Sequence, residues 1–169
     1  MNETLEAWNK ADDAIALDAM IACCGAKNWA LAMVDLRPID SIVELSEAAD
    51  RVWSTMELAD WMESFAGHPR IGERKAAHAT AKSNAWSQQE QSAATSATLN
   101  VMEELAEGNA RYEARFGFNY IVCATGKSAD EMLAILKRRL ANDRETELRE
   151  AAEQQRQIMQ IRLGKWLIE

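Results

Sequence analysis

Residues 145–166 read ETELREAAEQQRQIMQIRLGKW. Wound as an α-helix at about 100° per residue, this stretch places Ala152, Met159, Leu163 and Trp166 within roughly 60° of Leu148, so one apolar stripe runs its length. The spacing predicts a closing helix from near Glu145 to about Trp166. The remainder of the chain carries the same signature. Its 169 residues include only 7 glycines and 2 prolines, and Ala, Glu, Leu, Arg and Met, all good helix formers, fill the sequence. A turn-rich sandwich or barrel needs far more breakers and β-branched residues. The expected class is therefore all-α. At a length of one ordinary domain, residues 1–169 are expected to form a single compact multi-helix unit.

Outward from the closing helix, periodicity predicts amphipathic helices at about Ala14–Cys24, Trp29–Leu36, Ile39–Thr55 and Leu58–Phe65, with Gly25, Arg37-Pro38 and Gly67 marking three of their ends. From Lys75 to Trp86 the apolar content thins to alanines, which reads as an exposed or loosely packed connection. Ser87-Gln88-Gln89-Glu90 has the form of a capping box, so a long helix is expected to open at Ser87, bury Ala94, Val101 and Leu105, and run to about Arg115. The run from Phe116 to Ala124 is short, continuous and β-type, bounded by Gly117 and Gly126, and predicts one extended buried segment near 118–124. Ser128-Ala129-Asp130-Glu131 is a second capping box, ahead of a helix containing Met132, Ile135, Leu136 and Leu140.

With 19 Lys and Arg against 27 Asp and Glu, the net charge of −8 disfavours nucleic acid and anionic membrane surfaces as partners. Cys23, Cys24 and Cys123 form no CxxC and suggest neither a disulfide framework nor a metal site, which fits a reducing compartment. No signal-like N-terminus or membrane-length apolar run is present. The expected location is cytoplasmic. GxGxxG, P-loop, nucleophile-elbow and HExxH motifs are all missing, so nucleotide, serine-hydrolase and zinc-protease readings lack sequence support.

Four positions stand out chemically. His68 follows a helix end and precedes Pro69, a stiff mounting for the side chain best suited to exchange a proton near neutrality; it equally suits a histidine that merely satisfies a helix terminus. Glu90 fits position N3 of a capping box, yet on the wheel it falls about 40° from Ala94, facing inward. With Ser87 and Gln91 it would present hydrogen-bonding groups at a helix start, where N–H groups are also free. Arg162 lies about 40° from Leu148 within the apolar stripe. Unless it snorkels to the surface, its guanidinium needs a carboxylate or a ligand oxygen. Arg149 and Arg156 fall outside the stripe and read as solvated, and His78 reads as structural.

The blocks His68-Pro69-Arg70-Ile71-Gly72, Ser87 to Gln91, and Phe116-Gly117-Phe118 through Ala124 resemble one family. So do Asn28-Trp29-Ala30, Arg37-Pro38, Asp60-Trp61 and the ending from Ala141-Asn142-Asp143 through Ile161-Arg162-Leu163. That family is the 2-oxo-4-hydroxy-4-carboxy-5-ureidoimidazoline (OHCU) decarboxylases of urate degradation, and the resemblance covers nearly the whole chain. It implies an all-helical, often dimeric enzyme that converts OHCU to (S)-allantoin and carbon dioxide with no cofactor and no metal. By position, it implies His68, Glu90 and Arg162 as catalytic residues. Pro69, Ser87, Gln88, Gln89, Gln91 and the segment Tyr120, Ile121, Val122, Cys123 and Ala124 are implied as substrate-binding. A helical interaction module without catalysis, and a decarboxylase acting on a related ureido compound, are the alternatives. Either enzyme requires His68, Glu90 and Arg162 to converge on a cavity, whereas the module does not.

Overall fold

The computed structural model describes residues 2–71, 79–94 and 98–169. Among them every regular element is helical: α1 (Glu3–Lys10), α2 (Asp13–Cys23), α3 (Lys27–Asp35), α4 (Ile42–Trp53), α5 (Leu58–Ala66), α6 (Ala81–Glu90), a 3-10 turn (Ser92–Ala94), α7 (Leu99–Phe116), α8 (Ala129–Arg139) and α9 (Arg144–Trp166). The helices group into two compact units, one formed by Met1–Ser64 with Arg156–Glu169, the other by Phe65–Gln155.

In the first unit indole rings supply both volume and polar anchors. Trp29 is wholly buried and donates from Nε1 to the Ala49 carbonyl at 3.1 Å, while Trp8 donates to Ala16 at 3.0 Å and meets Trp166 edge-on at 6.0 Å. A buried indole N–H without an acceptor is costly, so these bonds fix how α1–α2 and α3–α4 pair. Helix α1 was not expected from periodicity. It is only eight residues long; Asn2 caps it, accepting from Leu5 N–H at 3.0 Å, Glu3 and Glu6 sit in its first turn, and the buried Leu5 and Trp8 tie it to the unit's core.

The second unit is built on an aromatic cluster. Tyr112 and Phe116 on α7 meet Phe118 and Tyr120 just beyond it, with centroid separations of 5.7 Å for Tyr112–Phe118 and 5.4 Å for Tyr112–Tyr120, and Phe65 closes on Phe118 at 5.3 Å. Helix α7 ends at Gly117, whose φ of 82° lies in the left-handed region open to glycine. Beyond it, residues 119–124 form neither helix nor strand, and Tyr120 through Ala124 are all buried. At Gly108 a Cβ would lie 2.6 Å from Leu136 Cδ2, so the missing side chain lets α7 and α8 approach closely.

One expected helix start is wrong. Ser87 does not open a helix; it lies inside α6, which begins six residues earlier, at Ala81, because Thr80 is the cap, accepting from Ser83 N–H at 3.0 Å. The chain breaks at Gln91, passes through the 3-10 turn and starts again at α7 under a different cap, Thr98, which accepts from Val101 N–H at 3.3 Å. The connection expected at 75–86 is likewise helical from Ala81, with Ser83 and Trp86 buried. His78 and Gly72 lie outside the described residues. By contrast, Ser128 does cap α8, accepting from Glu131 N–H at 3.2 Å.

Candidate active site

His68 sits two residues beyond α5, its N–H donating to the Phe65 carbonyl at 3.1 Å, and its side chain is half-buried beside the buried Pro69. The turn is clamped by Asn119, whose Nδ2 donates to the carbonyls of both Phe65, at 3.0 Å, and His68, at 3.1 Å. The imidazole meets a second amide: Nε2 lies 2.6 Å from Oε1 of Gln155 on α9, a residue with no exposed surface. These contacts fix both the backbone and the ring of His68.

The segment from Tyr120 to Ala124 is held equally firmly. Gln154, next to Gln155 on α9, accepts from Cys123 N–H at 2.8 Å, while Lys127 Nζ donates to the Cys123 carbonyl at 2.7 Å. Arg139 of α8 donates from Nη1 to the Ile121 carbonyl at 2.6 Å, and Tyr120 donates from its hydroxyl to the Met132 carbonyl at 3.0 Å. Behind the segment Arg139 and Glu147 form an ion pair with no exposed surface on either side chain. Glu147 also accepts from the Tyr112 hydroxyl and, at 3.0 Å, from Asn142 Nδ2. The guanidinium lies 5.0 Å from the centroid of the Tyr120 ring, within cation–π reach.

Burial pushes the Tyr112 and Tyr120 hydroxyls far above the ordinary phenol range, with Glu147 adding to the rise and Arg139 opposing it. For Arg139 burial works against the charge, but the hydrogen bond and the charge of Glu147 outweigh it and the guanidinium is held more firmly protonated than usual. Both phenols therefore remain neutral donors, and Arg139 remains a cation, throughout the working pH range.

Ser87 and Glu90 are buried on α6 with Ser83 and Trp86, whereas Gln88 and Gln89 are exposed and Gln91 is half-buried at the helix end. Because this group closes a helix instead of opening one, the expectation of free N–H groups around it fails: the local backbone presents carbonyls, the negative end of the dipole. The continuous wheel linking Glu90 to Ala94, Val101 and Leu105 fails with it. Glu90 is nevertheless 7% exposed, buried through α6 itself.

Arg162 belongs to the first unit and is 2% exposed, so its head is not snorkelling into water. Arg149 is exposed and paired with Glu145 one turn away, and Arg156 is half-buried against Asp50 at 3.2 Å. Within one unit the structure thus brings together His68, Pro69 and Tyr120–Ala124 through Asn119, Gln154, Gln155 and Arg139.

Comparison with known proteins places this arrangement. A family model described as OHCU decarboxylase matches residues 9–164. The chain belongs to the OHCU decarboxylase family. A relative from Arabidopsis thaliana, "Uric acid degradation bifunctional protein TTL", is 35% identical over 152 residues, which span 89% of this chain and 47% of that protein. The chain therefore covers about half the length of that relative. A second, "2-oxo-4-hydroxy-4-carboxy-5-ureidoimidazoline decarboxylase" from Haloferax volcanii, is 27% identical over 96% of this chain and 95% of its own length. Among solved structures, a crystal structure of OHCU decarboxylase in the presence of (S)-allantoin matches with a TM-score of 0.78 and 31% identity, covering 94% of this chain and all of that one.

Sequence reasoning on this OHCU decarboxylase family member missed Asn119, Lys127, Arg139, Glu147, Gln154 and Gln155. One of them was within reach. Gln155 falls about 20° from Leu148, a polar side chain in the same apolar stripe that draws attention to Arg162. Asn119, Lys127, Arg139 and Gln154 anchor backbone atoms and Glu147 holds the side chains of Arg139, Tyr112 and Asn142, contacts that no local pattern encodes.

Proposed function

We propose that this chain catalyses the cofactor-independent decarboxylation of OHCU to (S)-allantoin and carbon dioxide in urate degradation. Its family makes it a carboxy-lyase. The observation that carries the reading is the setting of His68 in such a chain: a half-buried imidazole bonded at Nε2 to a buried amide, on a turn tied by Asn119 to the buried segment that follows it, Tyr120 to Ala124.

In the reaction the bond between the carboxylate and the ring breaks, carbon dioxide leaves, and its electron pair is delocalised into the substrate's own conjugated ring. One proton, taken up from solvent, is then added to a single face of the carbon that becomes the stereocentre. The substrate is its own electron sink. The protein's work is to hold the carboxylate out of the ring plane, stabilise developing charge and supply the proton from one side. His68 delivers that proton. Glu90 holds N–H groups of the ureido arm or ring, with Ser87, Gln88, Gln89 and Gln91 beside it on the end of α6.

Substrate oxygens are met by N–H groups of Tyr120, Ile121, Val122 and Ala124, the Cys123 N–H being held by Gln154. Arg162, assigned from the family resemblance and its burial, serves an oxygen that gains charge in the transition state, because equal grip on the ground state would not speed the chemistry. The test is the disappearance of OHCU under ultraviolet absorbance. His68→Gln is expected to bind a substrate analogue normally and to lose about 100-fold or more in turnover, and Arg162→Lys to weaken binding, turnover or both. Near-normal turnover in the first, or no change in the second, removes that residue's role.

We further propose that residues 1–169 act as one catalytic domain, since one family model runs through both units. The enzyme is read as a cytoplasmic homodimer: the exposed Ile15, Ile42 and Val43 offer apolar surface, and the three cysteines are free thiols. Among the described residues no helix is long and apolar enough to cross a membrane. Sedimentation at micromolar concentration tests the dimer, a monomer mass being the contrary result.

A further inference from the structure

Gln155 has no exposed surface, and its amide oxygen lies 2.6 Å from Nε2 of His68, 87 residues away in sequence. A buried amide is costly without partners, and at this position on α9 an apolar residue would continue the stripe. A carbonyl oxygen can only accept. With the amide oxygen facing it at this distance, the imidazole donates from Nε2, the arrangement of a ring that carries its proton there. We infer that Gln155 is the positioning residue for His68: it fixes the plane of the ring and selects the neutral tautomer with its proton on Nε2 and its lone pair on Nδ1.

An amide does this without charge. A carboxylate in the same place would attract the imidazolium and favour the cation, whereas the glutamine holds the neutral and cationic rings in one orientation, as a residue that must give up a proton and regain it requires. The neighbouring Gln154 holds Cys123 N–H at 2.8 Å. One turn of α9 thus anchors both the histidine and the segment assigned to the substrate.

The inference rests on the reading of His68 as proton donor, and its test separates the two. In uniformly 15N-labelled protein at about pH 9, where imidazole is neutral, long-range proton–nitrogen correlation reports which ring nitrogen is protonated, and His68→Ala assigns the signals. Wild type and Gln155→Glu, which keeps an acceptor, are expected to show the proton on Nε2; Gln155→Met, of similar length without one, is expected to show mixed tautomers. In turnover Gln155→Met is expected to lose about 10-fold to 100-fold in kcat with KM within about twofold, and Gln155→Glu to move the pH profile of kcat upward, because its carboxylate favours the imidazolium. A wild-type ring protonated on Nδ1, or a Gln155→Met variant with wild-type tautomer and kcat, overturns the inference. If wild type does not accelerate OHCU loss at all, the activity reading fails, and the wild-type nitrogen spectrum still decides whether Gln155 fixes the ring.

Discussion

Replacing Glu147 with glutamine keeps the shape of the side chain and removes its charge. In the folded protein one carboxylate oxygen receives Arg139 Nε at 2.7 Å, Arg139 Nη2 at 2.5 Å and the Tyr112 hydroxyl, while the other receives Asn142 at 3.0 Å. Both partners of the ion pair are wholly buried, so the variant leaves a guanidinium charge without its counter-charge. Breaking a buried pair from one side costs about 3–5 kcal/mol. At about 2–4 °C per kcal/mol for a chain of this size, the midpoint of thermal unfolding should fall by roughly 6–20 °C. The triple change Arg139→Met, Glu147→Leu and Tyr112→Phe removes charge and orphaned hydroxyl together, and should recover about half of the loss or more.

Recovery should not extend to catalysis, because the Ile121 carbonyl loses the donor that holds it at 2.6 Å. Urea unfolding followed by circular dichroism measures the stabilities, and OHCU decay measures activity. A Glu147→Gln variant within about 1 kcal/mol of wild type, or a triple variant no more stable than the single one, would refute the account of this network.

Three further outcomes are expected. Thr80→Ala should destabilise α6 by about 1 kcal/mol in urea titration; an unchanged midpoint would return the start of that helix to Ser87. Asn119→Ala removes the donor shared by the Phe65 and His68 carbonyls, and should lower kcat while far-UV dichroism stays that of wild type; full activity would show that the clamp is dispensable. Asp143 accepts from Thr146 N–H at 2.8 Å, and the hydrogen bonds of Thr146 hold its carboxyl below the usual carboxylate range. A carboxyl whose folded pKa is depressed adds stability above its unfolded pKa and loses it as pH falls through the folded one. The thermal midpoint of wild type should therefore exceed that of Asp143→Asn near neutrality and converge with it below about pH 4; a constant difference across that window would contradict the assignment.

The helices legible in the sequence were those whose burial is written as a stripe. The closing helix is found at Arg144–Trp166, within a residue of its expected start, and the capping box at Ser128 caps α8 as read. The same motif misled at Ser87, because a serine three residues before a glutamate also occurs inside a helix and only an upstream competitor, Thr80, decides between them. Stretches rich in serine, threonine and alanine offer many caps and little apolar contrast, so their boundaries are set by tertiary contacts. The buried segment expected near 118–124 was legible from its bounding glycines and its run of apolar residues, and Glu90 is buried on grounds other than its expected ones. The support around His68 was hidden for a physical reason. Asn119, Arg139 and Gln154 act on backbone atoms far away in the chain, and a polar side chain that serves a carbonyl elsewhere looks, in sequence, like surface.

The most direct test of the central claim is the circular dichroism of allantoin formed from freshly generated OHCU, with wild type, with His68→Ala and without protein. OHCU decays unaided to racemic allantoin, so optical activity isolates the enzyme's contribution from the background. The account predicts a rapid rise of the (S) signal with wild type and none above background with His68→Ala. An (S) signal that persists in the variant would contradict the role of His68, and a wild-type signal no greater than that of the buffer would contradict the activity itself.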